Sequence, residues 1–82
     1  MDIPSDWTVR DNRLTRTFAF DNFVQAFAFC TQIALLAEKE QHHPKLTLTY
    51  QQVELELTTH DANDQVTELD RSFASAVNRL FN

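Results

Sequence analysis

All three histidines of the chain, His42, His43 and His60, lie in the stretch 38–60, EKEQHHPKLTLTYQQVELELTTH. Glu38 stands four residues before the first of them, and Pro44 follows the second. Imidazole has an unperturbed pKa of about 6.5, so near neutrality one ring can donate a proton while another accepts. On a helix Glu38 and His42 share a face and can touch. His43 sits at the helix exit, where its ring points another way. Residues 45–60 read as a hairpin symmetric about Gln51-Gln52, which returns His60 to the neighbourhood of His42 and His43. His60 is on the parity of Glu54, Glu56 and Thr58, off the apolar face, which argues against a packing role. Three imidazoles and a carboxylate then converge on one pocket suited to moving protons on a small heterocycle, including loss of water.

Other uses of these side chains stay open on spacing alone. His42 and His43 are also cations of the kind favoured at a helix C-terminus. A metal site of Glu38, His42, His43 and His60 is conceivable, but adjacent histidines diverge and lack the i, i+4 pairing of helical zinc sites. Asp70 fits the last position of a capping box, Thr67-Glu68-Leu69-Asp70, better than the role of a catalytic acid. Cys30 falls mid-helix on an apolar stripe and reads as core, as do the phenylalanines, so no activated Ser or Cys nucleophile is evident.

The elements that must position this cluster can be read from periodicity. Residues 1–6 are polar and expected to fray. Residues 7–10 pair with 13–20 across Asp11-Asn12, whose residues tolerate positive φ; Arg16 breaks the apolar parity of Leu14, Phe18 and Phe20, as suits a sheet edge. Asp21 or Asn22 caps a helix running to about Gln41, and Asn22 with Gln25 has capping-box spacing. Its stripe of Phe23, Ala26, Phe27, Cys30, Ile33, Ala34 and Ala37 is widened by Val24, Ala28, Leu35 and Leu36, leaving a narrow polar row of Gln25, Gln32 and Lys39. A helix apolar over so much of its girth is buried on more than one side, which points to a subunit interface. Pro44 ends the helix and extends His43. Leu46, Leu48 and Tyr50 mark a third strand and Val53, Leu55 and Leu57 a fourth, turning at Gln51-Gln52. After a polar loop, 61–66, the last helix presents Leu69, Phe73, Ala76, Val77 and Leu80 on one side. The order ββαββα predicts an α+β domain spanning 1–82: a four-stranded antiparallel sheet with two helices packed on one face.

Composition narrows the function. A chain of 82 residues buries about 60% of its unfolded surface, a thin margin. One cysteine forbids an intramolecular disulfide, so oligomerisation is the expected aid for a sequence 43% apolar with seven phenylalanines. The net charge of −5 disfavours nucleic acid or an anionic membrane as a direct partner. The lone cysteine and the lack of a signal peptide or long apolar run lead to the expectation of a soluble cytoplasmic protein. With no glycine at all, phosphate-cradling loops and the dinucleotide fingerprint are excluded.

Glu38, three residues, His42-His43-Pro44, five residues, Tyr50, nine residues, His60, nine residues and Asp70 together resemble the signature of the pterin-4a-carbinolamine dehydratases. Trp7, Phe18-Ala19-Phe20, Phe27 and Ala37-Glu38 extend the resemblance over essentially the whole chain. It implies dehydration of 4a-hydroxytetrahydropterin to quinonoid dihydropterin, in recycling of the tetrahydrobiopterin used by aromatic amino acid hydroxylases. It implies no metal or organic cofactor, and dimers or tetramers. By position, His42, His43 and His60 become the catalytic histidines with Glu38 as their acidic companion, and His43, Glu38 and His60 contact the substrate. The expected division is that His42, oriented by Glu38, protonates the leaving hydroxyl, His60 accepts a ring N–H proton and His43 orients the pterin; exchanging these roles leaves the motif unchanged. The resemblance also covers a branch of dimerisation cofactors and of assembly proteins for the carbon-fixing enzyme, a non-catalytic alternative on the same fold. Three features depart from it. Many members have a helix before the first hairpin, where this sequence has six residues ahead of Trp7. Many have Trp at the position of Leu46, and many have glycine in the loop after His60, which here reads Asp61-Ala62-Asn63-Asp64.

Overall fold

A computed structural model describes residues 2–81, and Met1, part of the stretch expected to fray, lies outside them. The elements are β1 (Thr8–Arg10), β2 (Arg13–Ala19), α1 (Phe23–Glu40), β3 (Lys45–Thr49), β4 (Gln52–Leu57) and α2 (Glu68–Phe81), with one turn of 3-10 helix at His60–Ala62. The four strands form one antiparallel sheet in the order β1-β2-β4-β3. Leu14, Phe18, Val53, Leu55 and Leu57 from one face of the sheet pack against Ala26, Phe29, Ile33 and Ala37 of α1 and Phe73, Ala74 and Val77 of α2, all buried. The expected ββαββα α+β architecture is therefore observed. The opposite face is polar, crossed by Arg10–Glu54, Arg13–Glu56 and Lys45–Glu56 ion pairs.

The first turn forms as anticipated, Asp11 and Asn12 both taking positive φ. The second is displaced by one residue. Thr49 pairs with Gln52, so Tyr50 and Gln51 make the turn and Tyr50 is exposed with φ 48°. Both registers pair apolar with apolar residues, so alternation could not choose between them. Two contacts fix the choice: Phe20 N–H donates to Gln51 O at 2.8 Å, and Gln51 Nε2 donates to Asp21 O at 2.7 Å.

Both helices sit rotated from the faces expected of them. In α1, Phe29 is buried while Phe23 and Phe27 are exposed, their rings 6.2 Å apart and tilted by 48°. In α2 the buried set is Asp70, Phe73, Ala74 and Val77, with Leu69 and Leu80 outside. The buried carboxylate of Asp70 bonds His42, Thr59 and Thr67, and that anchors the inward face of α2.

Arg16 is not at an edge. It lies on β2, an inner strand, and faces the helices, its guanidinium 4.4 Å from the Phe18 ring and 5.1 Å from that of Phe81. Its Nη1 donates to Asn78 Oδ1 at 2.6 Å, an oxygen that also accepts from Trp7 Nε1 at 2.8 Å. Asn78 Nδ2 in turn donates to Ser5 O, and Trp7 N–H to Pro4 O. Residues 4–7 are thus pinned to α2 rather than frayed.

Candidate functional site

Asn22 caps α1, accepting from Gln25 N–H at 2.8 Å, while Gln25 Oε1 accepts from the N–H of Asp21 rather than of Asn22. The other end of α1 sets the site. Gln41 takes the left-handed conformation, φ 53° and ψ 41°, and His42 N–H reaches back to Ala37 O, the six-to-one bond of a Schellman stop. The left-handed residue turns the chain out of the helix before His42, so the i, i+4 relation expected between Glu38 and His42 never forms. Glu38 Oε2 instead meets His43 Nε2 at 2.6 Å. Both side chains of that pair are largely exposed, 74% and 61% respectively.

His42 turns inward, to 14% side-chain exposure, with its ring edge-on to Phe73 at 6.0 Å. Its Nε2 is 2.6 Å from Oδ1 of Asp70, a carboxylate with no exposed surface. The other oxygen, Oδ2, accepts from Thr67 N–H at 2.8 Å and from Thr59 Oγ1 at 2.7 Å. Asp70 therefore makes the capping contact at the start of α2 and also holds a histidine. The spacing Thr-x-x-Asp indicates only the first of these; nothing local in the sequence signals the second, or Thr59.

His60 is the most open of the three, 93% exposed, its Nδ1 3.2 Å from Asp64 Oδ1. It lies beyond the end of β4, opening the 3-10 turn that Asn63 closes at φ 59°. Continuing the register of Lys45 opposite Glu56 brings His42 opposite Thr59, not His43 opposite His60 as the expected turn would have it.

A cavity of about 400 Å³ opens beside the helix exit, lined by Ile33, Ala34, Ala37, Glu38, His43, Pro44 and Leu46. Of the expected cluster, only Glu38 and His43 are on its wall. Leu46 adds an aliphatic surface where an aromatic one was the alternative. No set of three or more His, Cys, Asp or Glu side chains among the described residues is arranged to hold a metal ion. Burial pushes the Cys30 thiol above its ordinary pKa, against the smaller opposing effect of a backbone hydrogen bond, which disfavours a thiolate there.

Residues 1–80 match the family model described as pterin 4 alpha carbinolamine dehydratase. The chain belongs to that family. A protein of Prochlorococcus marinus (strain MIT 9303), named as a candidate pterin-4-alpha-carbinolamine dehydratase, is 49% identical over 74 residues, covering 90% of this chain and 76% of its own. A similarly named protein of Chloroflexus aurantiacus (strain ATCC 29366 / DSM 635 / J-10-fl) is 44% identical over 75 residues, covering 92% and 80%. Among solved structures, the transcriptional coactivator/pterin dehydratase from Brucella melitensis superposes with a TM-score of 0.83 at 40% identity, covering 92% of this chain and 81% of that one. A pterin dehydratase-like protein identified as a RuBisCO assembly factor in the alpha-carboxysome gives 0.73 at 27% identity, covering 90% and 84%. No helix among the described residues of this dehydratase-family chain is long and apolar enough to cross a membrane.

Proposed function

We propose that the protein dehydrates a 4a-hydroxytetrahydropterin to quinonoid dihydropterin and water, in tetrahydrobiopterin recycling, by histidine acid–base catalysis. The observation that carries this reading is the pair of histidine–carboxylate couples, His42–Asp70 and His43–Glu38, formed by adjacent residues beside a largely apolar cavity. Loss of water requires a proton on the 4a-hydroxyl as its C–O bond breaks. It also requires removal of the proton from the neighbouring ring N–H, whose electron pair forms the new C=N bond. The net proton count is zero, so two imidazoles in opposite protonation states suffice. His43, on the cavity wall with Glu38 behind it, donates to the leaving hydroxyl. His42, held by Asp70, accepts the ring proton, and the exposed His60 binds the substrate from the solvent side. The aliphatic wall of Ile33, Ala37 and Leu46 suits a flat heterocycle.

In the same reading residues 1–82 act as a single cytoplasmic domain, without metal or organic cofactor and without direct nucleic acid or membrane contact. The domain forms homodimers or homotetramers, for which the exposed apolar side chains of α1 are the support. The test is the rate of 4a-hydroxytetrahydropterin dehydration followed by ultraviolet absorbance, with wild type, His42→Ala and His43→Ala in parallel. Acceleration by wild type that either variant loses is the expected result. A well-folded wild type that gives no acceleration overturns the reading. A second reading, a protein-binding module on the same fold, is favoured by the exposed Phe23, Val24, Phe27 and Leu35 of α1 and by likeness to the carboxysomal assembly factor. It would then lead.

A further inference from the structure

Thr59 has one hydroxyl proton and two neighbours. It donates to Asp70 Oδ2 at 2.7 Å, so in its 2.6 Å contact with Thr67 Oγ1 it accepts, and Thr67 is the donor. Oδ2 also takes the Thr67 N–H at 2.8 Å. A chain of one-way hydrogen bonds therefore ends on a carboxylate oxygen that already accepts twice. The remaining oxygen, Oδ1, then accepts from His42 Nε2, which must carry hydrogen. On the other side of the ring, Nδ1 makes no hydrogen bond within the described residues. It is not sealed from solvent either, since Thr58 Oγ1 is the one described side-chain N or O atom that is both buried and unpartnered.

We propose that Thr59 is a positioning residue: through Asp70 it fixes neutral His42 as the Nε2–H tautomer, so that His42 exchanges protons with substrate through Nδ1 alone. The inference rests on the dehydratase reading for its catalytic meaning, but the tautomer is a property of the substrate-free protein. The Thr59 hydroxyl bonds Asp70 and Thr67, and it acts on His42 by limiting the rotational freedom of the Asp70 carboxylate. Thr67 supplies the donor that commits the Thr59 proton to that direction.

The experiment is nitrogen-15 NMR of the histidine ring nitrogens in the substrate-free protein, for wild type, Thr59→Val and Thr59→Ser, with dehydration kinetics on the same samples. Wild type is expected to show protonated Nε2 and unprotonated Nδ1 on His42 at a pH where the ring is neutral. Thr59→Val, nearly isosteric, is expected to mix the tautomers and lower kcat by the lost fraction of the competent one, about 2-fold for an even mixture, with KM little changed. Thr59→Ser is expected to restore both. A wild-type His42 protonated on Nδ1 overturns the proposal without any variant. So does a folded Thr59→Val that keeps the Nε2–H signature and the wild-type kcat. A wild type with the expected tautomer and no dehydratase activity would instead overturn the functional reading and, with it, the catalytic meaning of Thr59.

Discussion

His42 Nε2 lies 2.6 Å from Oδ1 of Asp70, residues 28 apart in sequence and brought together where α1 ends and α2 begins. The contact joins a largely buried imidazole to a carboxylate with no exposed surface, whose other oxygen is held by two donors. One side chain thereby fastens the end of β4, the start of α2 and the first histidine of the site.

Asp70→Ala should therefore cost stability as well as activity. It leaves the Thr59 hydroxyl and Thr67 N–H without their acceptor in the interior, and unsatisfied buried donors cost about 1–3 kcal/mol each. Urea unfolding should show a loss of at least about 2 kcal/mol. An unchanged midpoint would mean that water replaces the carboxylate freely.

Glu38→Gln should behave in the opposite way. The Glu38–His43 couple is mostly exposed, and exposed pairs contribute little, about 0–1 kcal/mol. The unfolding midpoint should barely move, while the dehydration rate falls because His43 loses its anionic partner. A variant with wild-type rate would remove Glu38 from the site.

Asn78→Ala tests the clamp remote from the histidines. It removes one oxygen that accepts from both Arg16 and Trp7, and the donor to Ser5 O. Among the described residues Arg16 then keeps its ring contacts and a 3.7 Å ion pair to the exposed Asp6. The expected loss is about 2–3 kcal/mol, read by thermal unfolding, with the dehydration rate of the folded protein unchanged.

Gln41→Gly should stabilise the protein. A residue with a Cβ in the left-handed region costs roughly 1–2 kcal/mol relative to glycine, an advantage reduced by glycine's greater freedom when unfolded. A net gain of about 0.5–1 kcal/mol is expected. Destabilisation would indicate that the 2.6 Å bond from Gln41 Nε2 to Glu38 O outweighs the backbone conformation.

Phe27→Glu together with Leu35→Glu tests the exposed side of α1. Sedimentation of wild type at micromolar concentration should find an oligomer, and the double variant should sediment as a folded monomer. A wild-type monomer would assign the apolar side chains another partner.

The alternation of β2 and β4, the helix end near Gln41, the Asp11-Asn12 turn and the Thr67–Asp70 box were all legible in the sequence, because each depends on neighbours a few residues away. So was the family, carried by Glu38, His42-His43-Pro44, Tyr50, His60 and Asp70. Three matters were decided only by tertiary contacts. The turn at Tyr50-Gln51 follows from bonds to Phe20 and Asp21 across the sheet, since both registers satisfy the apolar pattern. The inward faces of the helices follow from where Phe29 and Asp70 find partners, since α1 is apolar almost all round. The exchange of carboxylates, Glu38 to His43 and Asp70 to His42, follows from the left-handed Gln41 at the helix end together with Asp70, 28 residues away, which only the folded chain brings to His42. Sequence periodicity fixes which side of an element is apolar; which atoms then meet across elements depends on helix rotations within a wide apolar girth and on two-residue register shifts, which leave that pattern unchanged.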